Sequence, residues 1–566
     1  MYIKITKSGP RRYVQLVESF RDDNGRARQR TVANFGRLEQ ISDNVESIVK
    51  GLLKATGNLV PEDGILPPTP QVSFDSARSL GDVWTLTSLW NELGFDALKR
   101  VFRKSRHKID IEALLRIMVF NRLCDPESKL GMLRWLETVS LPEVDGANVK
   151  HQHLLRAMDA LMDHQDDVDA VVAGLLRPLV DQELSIVFYD MTTIRAAGLS
   201  EQTGELRQYG MSKEGLVKRQ VMLGVVQTAE GLPIYHELVS GNTAEVKTLK
   251  PTLEKVLKRF PIKRIIVVAD RGLLSTDNLT ELQAMRLPCG APLEFILAVP
   301  GRRYSDFKEI LQPFHEACCQ HIESEVVGET TWQDLRLVIA HDPYTAAEKS
   351  AKRAQTIADL EAQAQQWAGK LDAQDGGYRS RGRKLSDGGV TARFYRAVGE
   401  AHLAKIIKVD LKSDLFNYQI NEKALTHAQL MDGKLLLVTN TQDLTPEQVV
   451  GRYKSLADIE RGFRVLKSDI EIGPIRHRLP QRIRAHASIC FMALIMYRVM
   501  RQRLKDADSG WSPDSALSQL KRIQHHRIEV NEKPLTGIST LTQDQKAILM
   551  SLQVNKPTEK GQLSLL

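Results

Sequence analysis

The sequence predicts an α/β protein: a mixed sheet, interrupted by a long insertion and preceded by a mostly helical region. Three observations carry that expectation. Short apolar runs that end in aspartate recur, Leu184-Ser-Ile-Val-Phe-Tyr-Asp190 and Arg264-Ile-Ile-Val-Val-Ala-Asp270, and read as buried strands. With the runs at 219–240 and 295–299, the order becomes strand, strand, strand, helix, strand, helix, strand, which demands at least one parallel crossover. Residues 80–175 repeat apolar positions at helical spacing, and the strand pattern lapses from about 301 to 430.

At 566 residues the chain exceeds one core and implies roughly three to four domains. An apolar fraction of 42% and a charged fraction of 26% are those of a globular protein. The net charge of +8 is unevenly spread. Residues 1–37 hold nine Lys/Arg against three acids, and residues 451–505 hold thirteen against four, so the remainder is net negative. Basic charge focused in two places points to a polyanion, most simply nucleic acid; either patch alone is equally a solvated basic face. Five cysteines without CxxC spacing argue against a disulfide framework or a zinc site. No apolar h-region opens the chain, and the run Ala487 to Tyr497 is far shorter than the ~20 residues of a membrane helix. The expectation is a cytosolic protein with no membrane partner.

In chain order, residues 1–40 read as a basic β-hairpin turning at Asp23-Asn24-Gly25, with Arg26, Arg28 and Arg30 on its second strand available to phosphate or simply keeping an edge soluble. Residues 41–180 form the helical region. Within it, Ile109 to Phe120 and Glu127 to Val139 flank Asp125-Pro126 as a helix pair compatible with DNA reading, although αα-hairpins are commoner than DNA-binding ones. The sheet occupies 181–300 and 435–505, the insertion 301–434 with a long helix over Tyr344–Gln374, and a helical tail 506–566. Gly241-Asn242-Thr243 caps a helix from Ala244 to Arg259.

The stretch Tyr453 to Lys467 reads as one amphipathic helix. At 3.6 residues per turn Tyr453, Glu460 and Lys467 share a stripe with Arg464 close by, while Ile459, Phe463, Leu466 and Ile470 form the apolar stripe. Taken alone, Glu460 is most simply a solvated partner of Arg464 and Lys467. The two strand-end aspartates change that. If the strands of Asp190 and Asp270 are neighbours, the carboxylates stand about 4.8 Å apart, and Glu460 would complete a group of three. Such a group repels itself and calls for divalent cations; oxygen ligands without His or Cys select Mg²⁺ or Mn²⁺. Two such ions, about 3.5–4 Å apart, suit attack on a phosphodiester.

These residues resemble the DDE transposases of bacterial insertion sequences, in the branch marked by a Tyr–Arg–Glu–Lys helix. The matching stretches are YDMTT, YGMSKEG, GNTAE, VVADRG, IERGFRVLK and IRHRLPQRIRAHASICFMAL, spanning roughly 184–500. The spacing Tyr-x2-Arg-x3-Glu-x6-Lys is met at Tyr453, Glu460 and Lys467, but Leu456 holds the Arg position, which leaves Arg452 or Arg464 to replace one phosphate contact. The resemblance implies an RNase H-like catalytic domain interrupted by an insertion, two Mg²⁺ ions with Mn²⁺ as substitute, and cut-and-paste transposition. Asp190, Asp270 and Glu460 are then the catalytic metal ligands. Tyr453, Arg464, Lys467 and Arg476, with Arg26, Arg28 and Arg30, are the DNA contacts. The implied partners are double-stranded DNA, as terminal inverted repeats and target, and a second copy of the chain in the active complex.

Two other readings compete. A catalytically silent DNA-binding repressor on the same fold would not need the intact set of three carboxylates. A phosphatase nucleophile loop at Asp190-Met-Thr-Thr193 would need a second carboxylate two residues on, where Thr192 stands. In the insertion, Trp332 and Trp367 are candidate base stackers by the resemblance and core residues by base rate.

Overall fold

A central strand that is apolar on both faces must be covered on both, and that requirement organises the chain. The computed structural model describes residues 1–21, 27–41, 47, 49, 72–103, 109–180, 184–198, 200–211, 217–243, 247–260, 262–269, 276–287, 289–318, 324–377, 384–530 and 532–558. They divide into two units, Met1–Ser76 with Arg527–Thr536 and Ala77–His526 with Gly537–Leu566.

In the first unit β1 (Tyr2–Ser8), β2 (Arg11–Arg21) and β3 (Ala27–Arg37) pair antiparallel in the order β1-β2-β3. The expected hairpin is the β2–β3 pair; β1 is an additional strand, with Tyr2 opposite Val17. The predicted turn at Asp23-Asn24-Gly25 lies outside the described residues.

The second unit opens with α2 (Gly81–Leu93), preceded in the chain by the one-turn α1 (Leu38–Ile41) and by β4 (Val72–Ser79). Then follow α3 (Leu98–Phe102), α4 (Ile111–Cys124), α5 (Gly131–Thr138), α6 (His151–Asp163) and α7 (Gln165–Leu176). Helix α4 starts where the Asp110 carboxylate accepts the Ala113 N–H at 3.0 Å, and residues Ile111 through Leu123 are all buried. A helix buried all round has no face left for a DNA groove, so α4 is a core helix. The second helix of that predicted pair starts at Gly131, not Glu127: the segment after Pro126 is irregular, and the Ser128 hydroxyl accepts the Gly131 N–H at 3.0 Å.

The main sheet follows: β5 (Leu184–Arg195), β6 (Gln208–Met211), β7 (Val217–Thr228), β8 (Pro233–Ser240), α8 (Leu249–Arg259), β9 (Arg264–Ala269), α9 (Thr276–Ala284) and β10 (Glu294–Ala298). Next come α10 (Lys308–Cys318), β11 (Val326–Trp332), β12 (Leu335–His341), α11 (Pro343–Asp375), α12 (Asp387–Glu400), β13 (Ile407–Val409), β14 (Tyr418–Ile420), α13 (Glu422–Met431) and β15 (Lys434–Thr439). The strand order is β11-β12-β15-β10-β9-β5-β7-β6, with β8 also on β7. β5 runs parallel to β9 and β9 to β10, whereas β7 and β8 are antiparallel. The mixed α/β sheet is therefore present, but β11 and β12, within the stretch 301–434 assigned to the insertion, are strands of this sheet. What departs from it is Pro343–Met431, with its own core of Ile357, Leu360, Ala364, Phe394, Val398, Leu403, Ile406 and Ile407. Trp367 packs edge-on against Phe394 at 6.5 Å, and Trp332 lies 5.2 Å from Phe307.

The chain closes with α14 (Pro446–Lys454), α15 (Ala457–Arg464), a π-helical turn (Val465–Asp469), α16 (Pro480–Asp506), α17 (Pro513–Leu520), β16 (Gln524–Val530), β17 (Lys533–Ile538) and α18 (Gln543–Ser551). The tail is thus not wholly helical; β16 and β17 join β4 in the order β17-β16-β4. Helix α16 is long and apolar enough by composition to cross a membrane, but 89% of its apolar window is buried inside the protein, packed on α4, α6 and β8. It is a core helix. Among the described residues Cys124, Cys289 and Cys490 are free thiols.

Candidate active site

Asp190 is half-buried in the middle of β5, not at its end, because the antiparallel ladder to β7 continues from Val187 to Arg195. Its Oδ1 accepts the Met191 N–H at 2.7 Å. On the parallel side Tyr189 stands opposite Ala269, the last described residue of β9. Asp270, next in sequence, lies outside the described residues. Thr192, where a phosphatase loop would need its second carboxylate, is buried within the strand at 2% exposure.

Side chains alternate across a strand, and residues opposite one another in an antiparallel pair share a face. Gln227 is opposite Phe188 and Val225 opposite Asp190, so Gln227, Phe188 and Asp190 project on one side. Tyr189 projects on the other, where its hydroxyl meets the Thr248 hydroxyl at 2.6 Å beside the start of α8. Helix α15 covers the Asp190 side. A Cβ on Gly462 would lie 2.6 Å from the Gln227 amide nitrogen and 2.9 Å from an Arg498 guanidinium nitrogen. Only glycine lets this helix backbone settle so close to the sheet. Gln227 is fully buried, and among the described residues neither end of its amide has a hydrogen-bond partner.

Glu460 belongs to α15, and its side chain lies outside the described residues, as does that of Ile459. Phe463, Leu466 and Ile470 are buried as the apolar stripe requires. The single helix does not hold. Helix α14 ends at Lys454, the Leu456 N–H bonds the Tyr453 carbonyl in a tight turn at 2.9 Å, and the chain re-enters helix at Ala457. After Arg464 the backbone widens, and the Ile470 N–H reaches the Val465 carbonyl at 2.9 Å. Tyr453, Glu460 and Lys467 thus sit in three consecutive helical segments, not on one continuous stripe. The wide turn is tied down from α16: burial, with the Asp469 carboxylate bonded to it, pushes the Tyr497 phenol up to about 12.

Tyr453 is half-buried, whereas Arg464, at the end of α15, and Lys467, in the π turn, are exposed. Leu456, at the expected arginine position, is 8% exposed and part of the core, so no phosphate contact is made from there. Arg452 is half-buried, and its Nε has no partner among the described residues. Arg476 is exposed beside a cavity of about 860 Å³. Further along, Arg482 forms a two-point ion pair with Asp159 at 2.8 Å, and Arg484 donates to the Leu238 carbonyl at 3.1 Å, so both are structural. In the first unit Arg28 is exposed, while Arg30 pairs with Glu18 at 2.7 Å and lies over the Phe20 ring at 5.7 Å. Arg26 lies outside the described residues. Among the described residues no three His, Cys, Asp or Glu side chains gather as a metal site; of the three expected carboxylates, only that of Asp190 is described.

The transposase DDE domain matches residues 181–496, more than half of the chain. The chain belongs to the DDE transposase family. Its N-terminus, residues 3–63, matches the IS1634 family transposase N-terminal domain, which makes it a transposase of an insertion sequence. No curated protein matches the transposase significantly. Among solved structures, a cryo-EM structure of the piggyBac transposase synaptic complex with hairpin DNA aligns at TM-score 0.38 and 9% identity, over 77% of this chain and 75% of that one. A Drosophila P element transposase strand transfer complex aligns at 0.21 and 11%, over 74% and 86%. Superpositions this loose fix no residue correspondences. The transposase's own sheet is RNase H-like: β5, β7 and β8 antiparallel, then β9 and β10 parallel to β5. Sequence reasoning missed Gly462, Gln227 and Arg498; the Glu-x-Gly-Phe spacing was the available signal for the first.

Proposed function

We propose that this transposase binds the terminal inverted repeats of its element as a homodimer and catalyses metal-dependent hydrolysis and strand transfer by a cut-and-paste route. Asp190, Asp270 and Glu460 are the proposed ligands of two Mg²⁺ ions, with Mn²⁺ as substitute. The observation that supports this most is the meeting of three chain segments. Tyr189 and Ala269, the residues before the two aspartates, pair across β5 and β9, and the helix carrying Glu460 covers the side from which Asp190 projects. An oxygen-only donor set fits a hard divalent cation. Bound there, the metal would supply an activated water or 3′-hydroxyl and offset charge on the leaving oxygen.

The chain's own residues do the rest. Gly462 seats α15 against β7, which fixes where Glu460's backbone stands relative to β5. Lys467 is proposed to face the phosphate next to the scissile bond, and Tyr453 and Arg464 the strand on either side, as in the Tyr–Arg–Glu–Lys branch. Arg476, Arg26 and Arg28 add phosphate contacts. Arg30, which also pairs with Glu18, is proposed to do the same. The domain division proposed from sequence stands beside these roles: a basic N-terminal module, a helical DNA-binding region, the split catalytic sheet, the insertion, and a C-terminal tail. Localisation follows the substrate, cytoplasmic and on the nucleoid when bound.

Single-turnover cleavage of end DNA in Mg²⁺ tests the assignment. Asp190→Asn, Asp270→Asn and Glu460→Gln are each expected to abolish cleavage and leave DNA binding largely intact. Near-wild-type cleavage by any one of them removes that residue from the site, and DNA binding without cleavage by the wild-type chain supports the repressor reading.

A further inference from the structure

The cavity of about 860 Å³ beside Arg476 is built from distant parts of the second unit. One wall is the loop 126–130 and helices α5 and α6; the other is the segment 471–479 and the start of α16. Its floor is Lys129, only 7% exposed. Among the described residues that ammonium makes no hydrogen bond and no ion pair. A lysine so enclosed that lines a cavity and has no protein partner leaves its donors for a ligand to complete. Burial, with the Arg122 guanidinium nearby, pushes Lys129 down to about 7, and an anion in the cavity would favour its charged form.

The rest of the lining is mainly basic, with Glu127 and Glu471 as its carboxylates. Arg134, Arg476 and Arg478 line the rim and are exposed. Arg122 does not compete for a ligand: it donates to the carbonyls of Ile470 at 3.4 Å, Glu471 at 3.3 Å and Glu127. By these bonds it joins the two walls, so the cavity is held open by the fold. Burial keeps His477 low, at about 4, and His486 lower than an ordinary histidine, so neither ring adds charge. Leu130, Leu155 and Pro474 supply apolar wall between the cationic rim and floor.

We propose that this cavity is a phosphate-binding pocket for a nucleotide displaced from the duplex, with the phosphate at Lys129 and the rim arginines on the flanking phosphates. The depth decides the class of occupant. A smooth duplex can lay its backbone on the exposed Arg476 and Arg478, but not on a side chain left only 7% exposed. A strand end or splayed-out nucleotide can, and the volume is ample for one. The proposal rests on the DNA-binding reading above and goes beyond it by separating two kinds of phosphate contact.

The test uses the full-length chain and Lys129→Met, which keeps the length of the side chain and removes its charge. Binding is measured by fluorescence anisotropy to a blunt duplex and to the same duplex carrying three unpaired, 5′-phosphorylated nucleotides. Inorganic phosphate is the competitor, and melting curves are recorded in parallel. The expected result is about a 10-fold weaker affinity of Lys129→Met for the splayed DNA, less than 2-fold for the blunt duplex, and an unchanged or higher Tm. Inorganic phosphate should compete for the splayed DNA with the wild type more than with the variant. A lower Tm with unchanged affinities would make Lys129 structural and overturn the proposal. Equal losses on both DNAs would make it an ordinary backbone contact and overturn it too. Stabilisation of the wild type by inorganic phosphate, absent in Lys129→Met and with no preference for splayed DNA, would leave a free-phosphate pocket and overturn the nucleotide. If the wild type binds neither DNA, the proposed function fails instead, and the phosphate-dependent Tm still reports on the pocket.

Discussion

Strand β5 and the helical stretch Pro446–Asp469 meet over one face of the sheet, yet they hold their carboxylates in different ways. β5 is fixed by backbone: residues 187–195 ladder with β7 and residues 184–189 with β9, so Asp190 can neither slide nor turn without breaking two registers. The helical stretch is fixed by side chains. It bends after Lys454, rests Gly462 on Gln227 and Arg498, and widens into a π turn tethered through Tyr497 and Asp469. A slip in β5 would carry Asp190 to the wrong face. A shift in the helical stretch would move Glu460 by the fraction of an ångström that packing allows. One half of the site is rigid by hydrogen bonding, and the other is adjustable by packing.

The largest expected effect separates the two halves by one methylene, added at Asp190 and removed at Glu460. Asp190→Glu should lower cleavage roughly 10³-fold, because the strand cannot retreat to accommodate one more methylene. Glu460→Asp should lose only about 10- to 100-fold, since α15 can settle part of the way back. Single-turnover rates in Mg²⁺ check both, and equal losses would break the comparison. Next in size is Gly462→Val, which drives a branched side chain into Gln227 and Arg498. It should cost about 1–3 kcal/mol in denaturant unfolding, and lower cleavage with end-DNA affinity retained. An unaltered cleavage rate would show that α15 need not touch the sheet. Lys467→Ala, in the π turn, should slow cleavage by roughly tens of fold and weaken end-DNA binding, because an ammonium near the phosphoryl oxygens stabilises developing charge. Lys467→Arg should rescue only in part. An exposed ion pair alone would be worth only ~0–1 kcal/mol and would leave rates unchanged.

What was legible in the sequence follows the same division. Strands with a continuous apolar run, β5, β7, β9 and β10, announce themselves because both faces are buried. β11 does not: its residues are half-buried or exposed, so a sheet strand reads as part of an insertion. The Asp190 strand looked shorter than it is because Met191-Thr192-Thr193 reads as a loop, while the ladder to β7 that extends it is a long-range fact. The break at Ser455 and the π turn were invisible because helical periodicity in the sequence does not count residues per turn locally. Leu456 carried a real signal: an apolar residue in a position expected to be basic is apolar because it is core. Lys129 and the segment 471–479 are some 340 residues apart, and no local pattern could have joined them.

The smallest expected effect is that of Arg464→Ala, and it tests whether the helical stretch offers DNA a second cation beyond Lys467. Arg464 ends α15, is exposed, and holds none of the contacts that seat the helix. Its removal should therefore leave the melting temperature where it was, unlike Gly462→Val. If the side chain meets a backbone phosphate, one counterion fewer is released on binding. The slope of log affinity against log salt should then fall by about 0.9, with a loss of only a few-fold at moderate ionic strength. Arg30→Ala is the matched control, because that guanidinium is already engaged by Glu18 and the Phe20 ring, and it should change the slope less. A slope unchanged in Arg464→Ala would mean that nothing replaces the arginine missing at Leu456. Lys467 would then carry the phosphate on this side of the site alone, and the contrast between the backbone-fixed and packing-fixed halves would rest on a single cation.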